Sequence, residues 1–321
     1  MFALSPAITP AARRERSFHA APITMSGTLY PFKVNDSLWI LGNGYFHLYL
    51  LKGAKQRALV ETGISATADL VLSQLEALDV RPDYLVVTHP HSDHITGLDH
   101  LRGAFPGAVV MIAAGAASFV AHPKAAPAII AEDRHMFRAL AARGLFSQTA
   151  VVTMPPSLSG CRILTDGEAL DLGGMSVNFL SVKGHSPGNL LAWIAGTKTL
   201  LVSDSLGNHY PGRGFFPTFF TGYNDYMATI DRLESFRPKR MGLAHNGFFS
   251  TSGAIADIFC LSRKSAQDVR RYIEDCAMDD EDLARSLFGF YYTDELAVYS
   301  PDNILNCCRL LVRRVRELHT A

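Results

Sequence analysis

Apolar residues along the first half of the chain come in short bursts. "SLWILG", "YFHLYLLKG" and "RALVETG" are rich in Leu, Val, Ile and aromatics and are punctuated by Gly; each reads as a β-strand. "ATADLVLSQLEAL" changes the period. Leu70, Val71, Leu75 and Leu78 recur at helical spacing, which predicts an amphipathic helix. "DYLVV" and "AVVMIA" return to strand character. Ala125 to Arg143 is again helical, with Ile129, Ile130, Met136, Phe137 and Leu140 on one side and Gly144 as the stop. The second half repeats this flavour. "EALDLGG", "MSVNFLSV", "NLLAWIAG" and "KTLLVSD" are strand-like runs separated by Gly-rich turns, followed by a helix, "YNDYMATIDRLESF", and a last strand, "RMGLAH". Two β-rich halves that each carry helices bury both sets of strands if two sheets pack face to face with helices outside.

From Ser252 onward only helical periodicity remains. Ile255, Ile258, Phe259, Val269, Tyr272 and Ile273 share one stripe. The last helix opens with "SPDN", where Ser300 suits the N-cap and Pro301 the first helical position; Ile304, Leu305, Cys308, Leu311, Val312, Val315 and Leu318 keep the 3–4 spacing. Arg309, Arg313, Arg314 and Arg316 on that helix read as a solvated face. The expected organisation is a flexible N-terminal extension over 1–25, a two-sheet body over 26–250 and a helical cap packed on it over 251–321.

Composition narrows the classes. Of 321 residues, 48% are hydrophobic and 19% charged, as in a globular protein with a sizeable core. Thirty basic residues balance thirty acidic ones, so nothing points to nucleic acid or an anionic membrane. No apolar run approaches the roughly 20 residues needed to cross a bilayer. The N-terminus places apolar residues ahead of basic ones, the reverse of a secretory signal. Five cysteines, with no CxxC pair, suit a reducing compartment. The expectation is a cytoplasmic protein acting on a small-molecule substrate, without nucleic-acid or membrane partners; a homodimer is compatible with the sequence.

The chemistry concentrates at Thr88 to Gly97, "THPHSDHITG", directly after the apolar "YLVV". In an extended chain alternate side chains point the same way, so His89 and His91 project together. Asp93 and His94 follow where the chain turns into the short helix "ITGLDHL". Three imidazoles and a carboxylate crowded at the end of a buried strand are costly unless a cation neutralises them. All four are good ligands for a first-row metal.

"HPHSDH" resembles the HxHxDH signature of the metallo-β-lactamase-fold hydrolases. Further motifs of that family follow in order: "KGHSPGN" with His185, "LLVSDSLG" with Asp204 and "LAHNG" with His245. "LVETG" resembles the family's "DTG" turn, with Glu61 in place of Asp, and the likeness covers roughly Tyr30 to Ser250. Two positions depart from the family pattern: Ser203 stands where Gly often precedes the aspartate, and Leu243-Ala244 stand where "PG" often precedes the last histidine. The resemblance implies an α+β fold, a four-layer αββα sandwich with a C-terminal helical extension. It implies that His89, His91 and His185 hold one metal, that Asp93, His94 and His245 hold a second, and that Asp204 bridges them. Zinc is expected first, with iron or manganese as alternatives that accept the same ligands.

Two adjacent metals share a water and lower its pKa toward neutrality. The resemblance therefore implies a dinuclear hydrolase whose bridging hydroxide, oriented by the catalytic Asp93, cleaves a thioester, ester or lactone. The aromatic-rich loop "YPGRGFFPTFFTGY" after Asp204, "NGFF" after His245 and "FGFYYTDEL" in the tail suggest an apolar pocket for an acyl or aryl group. His209, Tyr210, Phe216, Tyr223 and Phe248 are the expected substrate contacts. The helical tail is similar to the cap of glyoxalase II and, in its layout, to that of the quinolone-signal response thioesterase. The alternatives are a mononuclear iron dioxygenase of the persulfide type and a phosphodiesterase of the same fold.

Overall fold

The computed structural model describes residues 30–145, 152–293 and 296–319. The extension expected over 1–25 lies outside the described residues. Strands β1 (Phe32–Asn35), β2 (Leu38–Gly42), β3 (His47–Lys52) and β4 (Arg57–Val60) form an antiparallel meander. Helix α1 (Ala68–Ala77) crosses to β5 (Tyr84–Val86), α2 (Ser92–Ile95) and α3 (Leu98–Ala104) lead to β6 (Val109–Ala113), and α4 (Ala116–Val120) and α5 (Ala125–Ala141) to β7 (Arg162–Leu164). From β4 to β7 the neighbours run parallel, completing a seven-stranded sheet in sequential order.

In the second half β8 (Ala169–Asp171), β9 (Ser176–Val182), β10 (Asn189–Ile194) and β11 (Thr199–Ser203) are antiparallel. A small hairpin, β12 (Asn208–Tyr210) and β13 (Gly214–Phe216), precedes α6 (Tyr223–Ser235). Strand β14 (Arg240–Leu243) then returns parallel to β11, and β15 (Phe248–Phe249) closes a six-stranded sheet. Helices α7 (Ser252–Asp275), α8 (Asp280–Tyr291) and α9 (Pro301–Arg316) follow.

Strand β3 shows how the layers arise. Tyr49 and Leu51 point into the core between the sheets, against Phe179, Leu190 and Leu201. Leu48 and Leu50 point the other way, against Val71 and Leu75 of α1 and Leu98 and Leu101 of α3. A strand covered on both faces is apolar at every position rather than at alternate ones, as "LYLL" is. The outer face of the second sheet, with Leu191, Val202 and Met241, packs under α6 to α9 through Ile230, Ile258, Leu287 and Leu311. The result is helix, sheet, sheet, helix, with three further helices extending the last layer.

The strands that escaped the sequence reading, β1, β7, β12, β13 and β15, have two to four residues each, too few to establish a period. The helix after the histidine cluster also differs. It is two helices: α2 itself carries Asp93 and His94, and the chain breaks at Gly97 before α3. A Cβ at Gly97 would lie 2.2 Å from the Thr62 carbonyl oxygen. Glycine therefore lets the α2–α3 junction press against the end of β4.

Ser300 caps α9, its Oγ accepting from Asn303 N at 3.2 Å, with Pro301 next. The arginines of α9 are paired with acids: Arg309 with Glu281 and Arg316 with Asp280 at the start of α8, Arg313 and Arg314 with Glu317. All five cysteines are unbridged. Among the described residues no helix is long and apolar enough to cross a membrane.

Candidate metal centre

Each expected ligand follows the C-terminal end of a strand. His89 and His91 come after β5, His185 lies in the β9–β10 turn, Asp204 directly follows β11 and His245 stands two residues past the end of β14. Asp93 and His94 sit in α2. The chain bends sharply at Gly184 (φ +103°), where a Cβ would stand 2.4 Å from the Tyr226 backbone; only glycine delivers His185 from there.

The side chains converge in two adjacent groups. His89 Nε2 is 3.1 Å from His91 Nδ1 and 3.1 Å from His185 Nε2. Asp93 Oδ2 is 3.3 Å from His94 Nε2 and 3.3 Å from His245 Nε2, while Asp204 Oδ1 is 3.3 Å from His245 Nε2 and Asp204 Oδ2 3.4 Å from His94 Nε2. Asp204 Oδ2 also lies 3.9 and 3.8 Å from His89 and His185 Nε2. Asp204 thus stands between the two groups. Donors arranged tetrahedrally around an ion at 2.0–2.1 Å are separated by ~3.3 Å, close to these spacings. His94 Nε2 and Asp204 Oδ1 are buried without a hydrogen-bond partner, a costly condition that a cation removes. The site therefore fits a divalent metal ion.

Charge divides the two groups. Burial, reinforced by the neighbouring imidazoles, holds His89 well below its usual range and His91 down to about 3; His185 is lowered by burial. These three are neutral, as metal ligands must be. Burial also opposes the charge on Asp93 and Asp204, but His94 and His245 outweigh it and hold both carboxyls well below the usual carboxylate range. The reciprocal effect, chiefly from Asp204 and against burial, raises His245 to about 10. His94 is likewise raised, by Asp93 and Glu61.

The rings are held by partners outside the groups, as in well-built metal sites. His94 Nδ1 donates to Glu61 Oε2 at 2.8 Å. Thr88 Oγ1 donates to the same oxygen at 2.8 Å and lies 3.2 Å from His89 Nδ1. One carboxylate therefore steadies a ring of each group. His185 Nδ1 donates to Thr218 O at 3.2 Å and His245 Nδ1 to Tyr45 O at 2.6 Å. Glu61, Ser203 and Asn246 take left-handed φ values of 77°, 47° and 53°, each beside a ligand; such strain collects at functional sites. Ser203, where the family often has glycine, uses the position to bring Oγ to 3.1 Å from Thr88 Oγ1 and 3.4 Å from His89 Nδ1. Of these supports, "LVETG" marked Glu61 as part of a motif and Ser203 stood out as a departure from the family pattern; the others left no signal in the sequence.

A cavity of about 420 Å³ opens onto both groups, floored by His91, Asp93, His185 and Asp204. Phe119, Ala128 and Ile129 from α4 and α5 form one wall, Phe216 and Phe220 a second, and Ile304, Cys307 and Leu310 of α9 a third. Of the five expected substrate contacts, Phe216 lines it and four do not. His209 is turned into the hairpin, donating to Asn246 O at 3.2 Å between Phe215 and Phe249. Tyr210 donates to Tyr291 O at 3.0 Å and anchors α8. Tyr223 packs on Phe219 under Arg270. Phe248 belongs to the core between the sheets. Their neighbours Asn208 and Phe220 face the cavity instead.

Residues 47–245, well over half of the chain, match the model of the metallo-beta-lactamase superfamily. The chain belongs to that superfamily. A metallo-beta-lactamase family protein from Thermus thermophilus superposes with a TM-score of 0.61 at 22% identity, over 83% of this chain and 93% of that one, a likeness of fold. Among curated relatives of this superfamily member, a hydroxyacylglutathione hydrolase of Methylococcus capsulatus is 28% identical over 52% of the chain, and the match spans 49% of that enzyme. An acyl-coenzyme A thioesterase of Gallus gallus is 23% identical over 63% of the chain and 71% of its own length. A superfamily of mostly metal-dependent hydrolases and a clustered His/Asp site together mark this member as a metal-binding hydrolase.

Proposed function

We propose that this protein is a dinuclear hydrolase of thioesters, or of related esters and lactones, that carry an apolar acyl or aryl group. The observation that carries the reading is the mainly apolar cavity ending on the two donor groups. His89, His91 and His185 would hold one ion, Asp93, His94 and His245 the other, with Asp204 between. Two ions held there would supply a water of lowered pKa and polarise the scissile carbonyl. Zinc heads the candidates, and iron and manganese suit the same donors.

The chain's own residues provide the rest. Phe119, Ile129, Phe220 and Ile304 would bind the acyl group and exclude water from it. Asp93, ionised and facing the cavity, would accept a hydrogen bond from the attacking water and so orient it. Relatives named for thioesterase and hydroxyacylglutathione hydrolase activity favour thioesters within this class. The three-helix cap is the ground for placing the chain near the glyoxalase II-like and quinolone-signal response thioesterase-like branches. Its unbridged cysteines suit action in the cytoplasm.

The test is elemental analysis of purified protein alongside a panel of acyl-coenzyme A thioesters, aryl esters, lactones and a phosphodiester. The expected outcome is about two ions per chain, turnover of the thioesters, and no turnover by Asp204→Asn. One iron per chain with oxygen uptake and no hydrolysis would refute the proposal.

A further inference from the structure

Tyr299 is buried and stands just before α9, in the tail that has no counterpart in the histidine and aspartate motifs. Its hydroxyl Oη donates to Asp93 Oδ2 at 2.8 Å and lies 3.4 Å from His245 Nε2. The ring meets His245 edge-on at 6.3 Å and forms part of the cavity wall. Asp93 Oδ2 therefore has three neighbours, the two histidines of its group and a phenol supplied by the cap.

The segment that carries Tyr299 is fixed from several directions. Its N–H donates to Leu296 O at 3.0 Å, and its carbonyl accepts from Tyr292 Oη at 3.1 Å. The next residue, Ser300, donates through N and Oγ to the two carboxylate oxygens of Glu132 at 2.8 and 2.5 Å. Glu132 lies on α5, in the first half of the chain. The hydroxyls of the core tyrosines Tyr49 and Tyr210 end on main-chain carbonyls, those of Leu243 and Tyr291. That of Tyr299 ends on a carboxylate of the metal centre, 206 positions away.

We infer that Tyr299 is a positioning residue of the metal centre, holding Asp93 so that Oδ2 faces both His94 and His245. A partner outside the ligand set is worth about 10–100-fold in metal affinity. The inference rests on the two-ion reading of the site and not on the substrate class. Removing the hydroxyl while keeping the ring isolates the effect.

Chelator-competition titrations of wild type and Tyr299→Phe test it. The expected result is two binding steps in the wild type. In the Phe variant one step weakens about 10–100-fold and the other stays within about twofold. The metal-free melting temperature, read in parallel, shows whether the variant folds. Two unchanged steps in a folded variant overturn the assignment. A wild type that takes up a single ion overturns both this inference and the two-ion reading. Should Tyr299→Phe not fold, Ser300→Ala, which loosens the same loop and leaves the hydroxyl, takes its place. A loss in one step then supports the assignment, and two unchanged steps overturn it.

Discussion

Replacing Glu61 by Gln removes a charge and almost nothing else. The side chain keeps its length, and Gln tolerates the left-handed backbone at φ 77° no worse than Glu. Glu61 is buried and accepts two hydrogen bonds on one oxygen, from His94 Nδ1 and Thr88 Oγ1, both at 2.8 Å. A hydrogen bond to a charged group contributes about 1.5–3 kcal/mol and a neutral one about 0.5–1.5. Losing the charge on two such bonds costs about 2 kcal/mol, or, at 1.4 kcal/mol per tenfold, about a 30-fold loss of metal affinity. His94 and His89 belong to different donor groups, so both binding steps should weaken. The assay is chelator competition on wild type, Glu61→Gln, Thr88→Val and the double variant. Thr88 lies between Glu61 and His89 and acts through the same oxygen, so the two losses should not add. Strict additivity, or Glu61→Gln binding within twofold of wild type, would refute the role assigned to this carboxylate.

Other consequences are open to measurement. Cys307→Phe places a ring in the cavity wall and should lower kcat/KM for long acyl chains by about tenfold or more while sparing acetyl substrates; an unchanged chain-length profile would place the acyl group elsewhere. In metal-free protein the lowered His89, His91 and His185 contribute stability above their ordinary 6.5 that is lost as pH falls, for His91 toward about 3. The raised His94 and His245 contribute stability below 6.5 that is lost as pH rises, for His245 through about 10. Melting temperatures taken with chelator should therefore peak near pH 6.5, and a steady rise to pH 10 would contradict this. Ser203→Gly relieves a left-handed φ of 47° worth about 1 kcal/mol, so metal-free protein should melt a few degrees higher; a fall would mean that the Oγ contacts to Thr88 and His89 outweigh the strain.

The parts legible in the sequence are those written locally. Most strands of both sheets announced themselves by composition, and the donors of "HPHSDH" by proximity. His185, Asp204 and His245 became readable as a set because each follows a strand run in the expected order. The residues that line the cavity were hard to read for the opposite reason. In "YPGRGFFPTFFTGY" the choice between Phe215 and Phe216, or Phe219 and Phe220, depends on the facing of a three-residue strand and an irregular loop, and no period spans either. His209 looked exposed to ligand because it closely follows Asp204, yet the hairpin turns it toward Asn246. Tyr299 was invisible because its partner, Asp93, is defined only once the tail has folded over the sandwich.

Helix α9 divides its surface between two tasks. Asn303, Ile304, Cys307, Leu310 and Arg314 face the cavity, whereas Cys308, Leu311, Val312 and Val315 are sealed in the hydrophobic core. One wall of the ligand chamber is thus carried by consecutive turns of a single element close to the end of the chain. A combinatorial library restricted to the codons of Asn303, Cys307, Leu310 and Arg314 would recast what the chamber accepts while leaving every donor atom and the buried stripe, Ile304 included, untouched. That makes α9 the natural cassette for retargeting the protein, and Tyr299, two residues upstream, the boundary such a library should not cross.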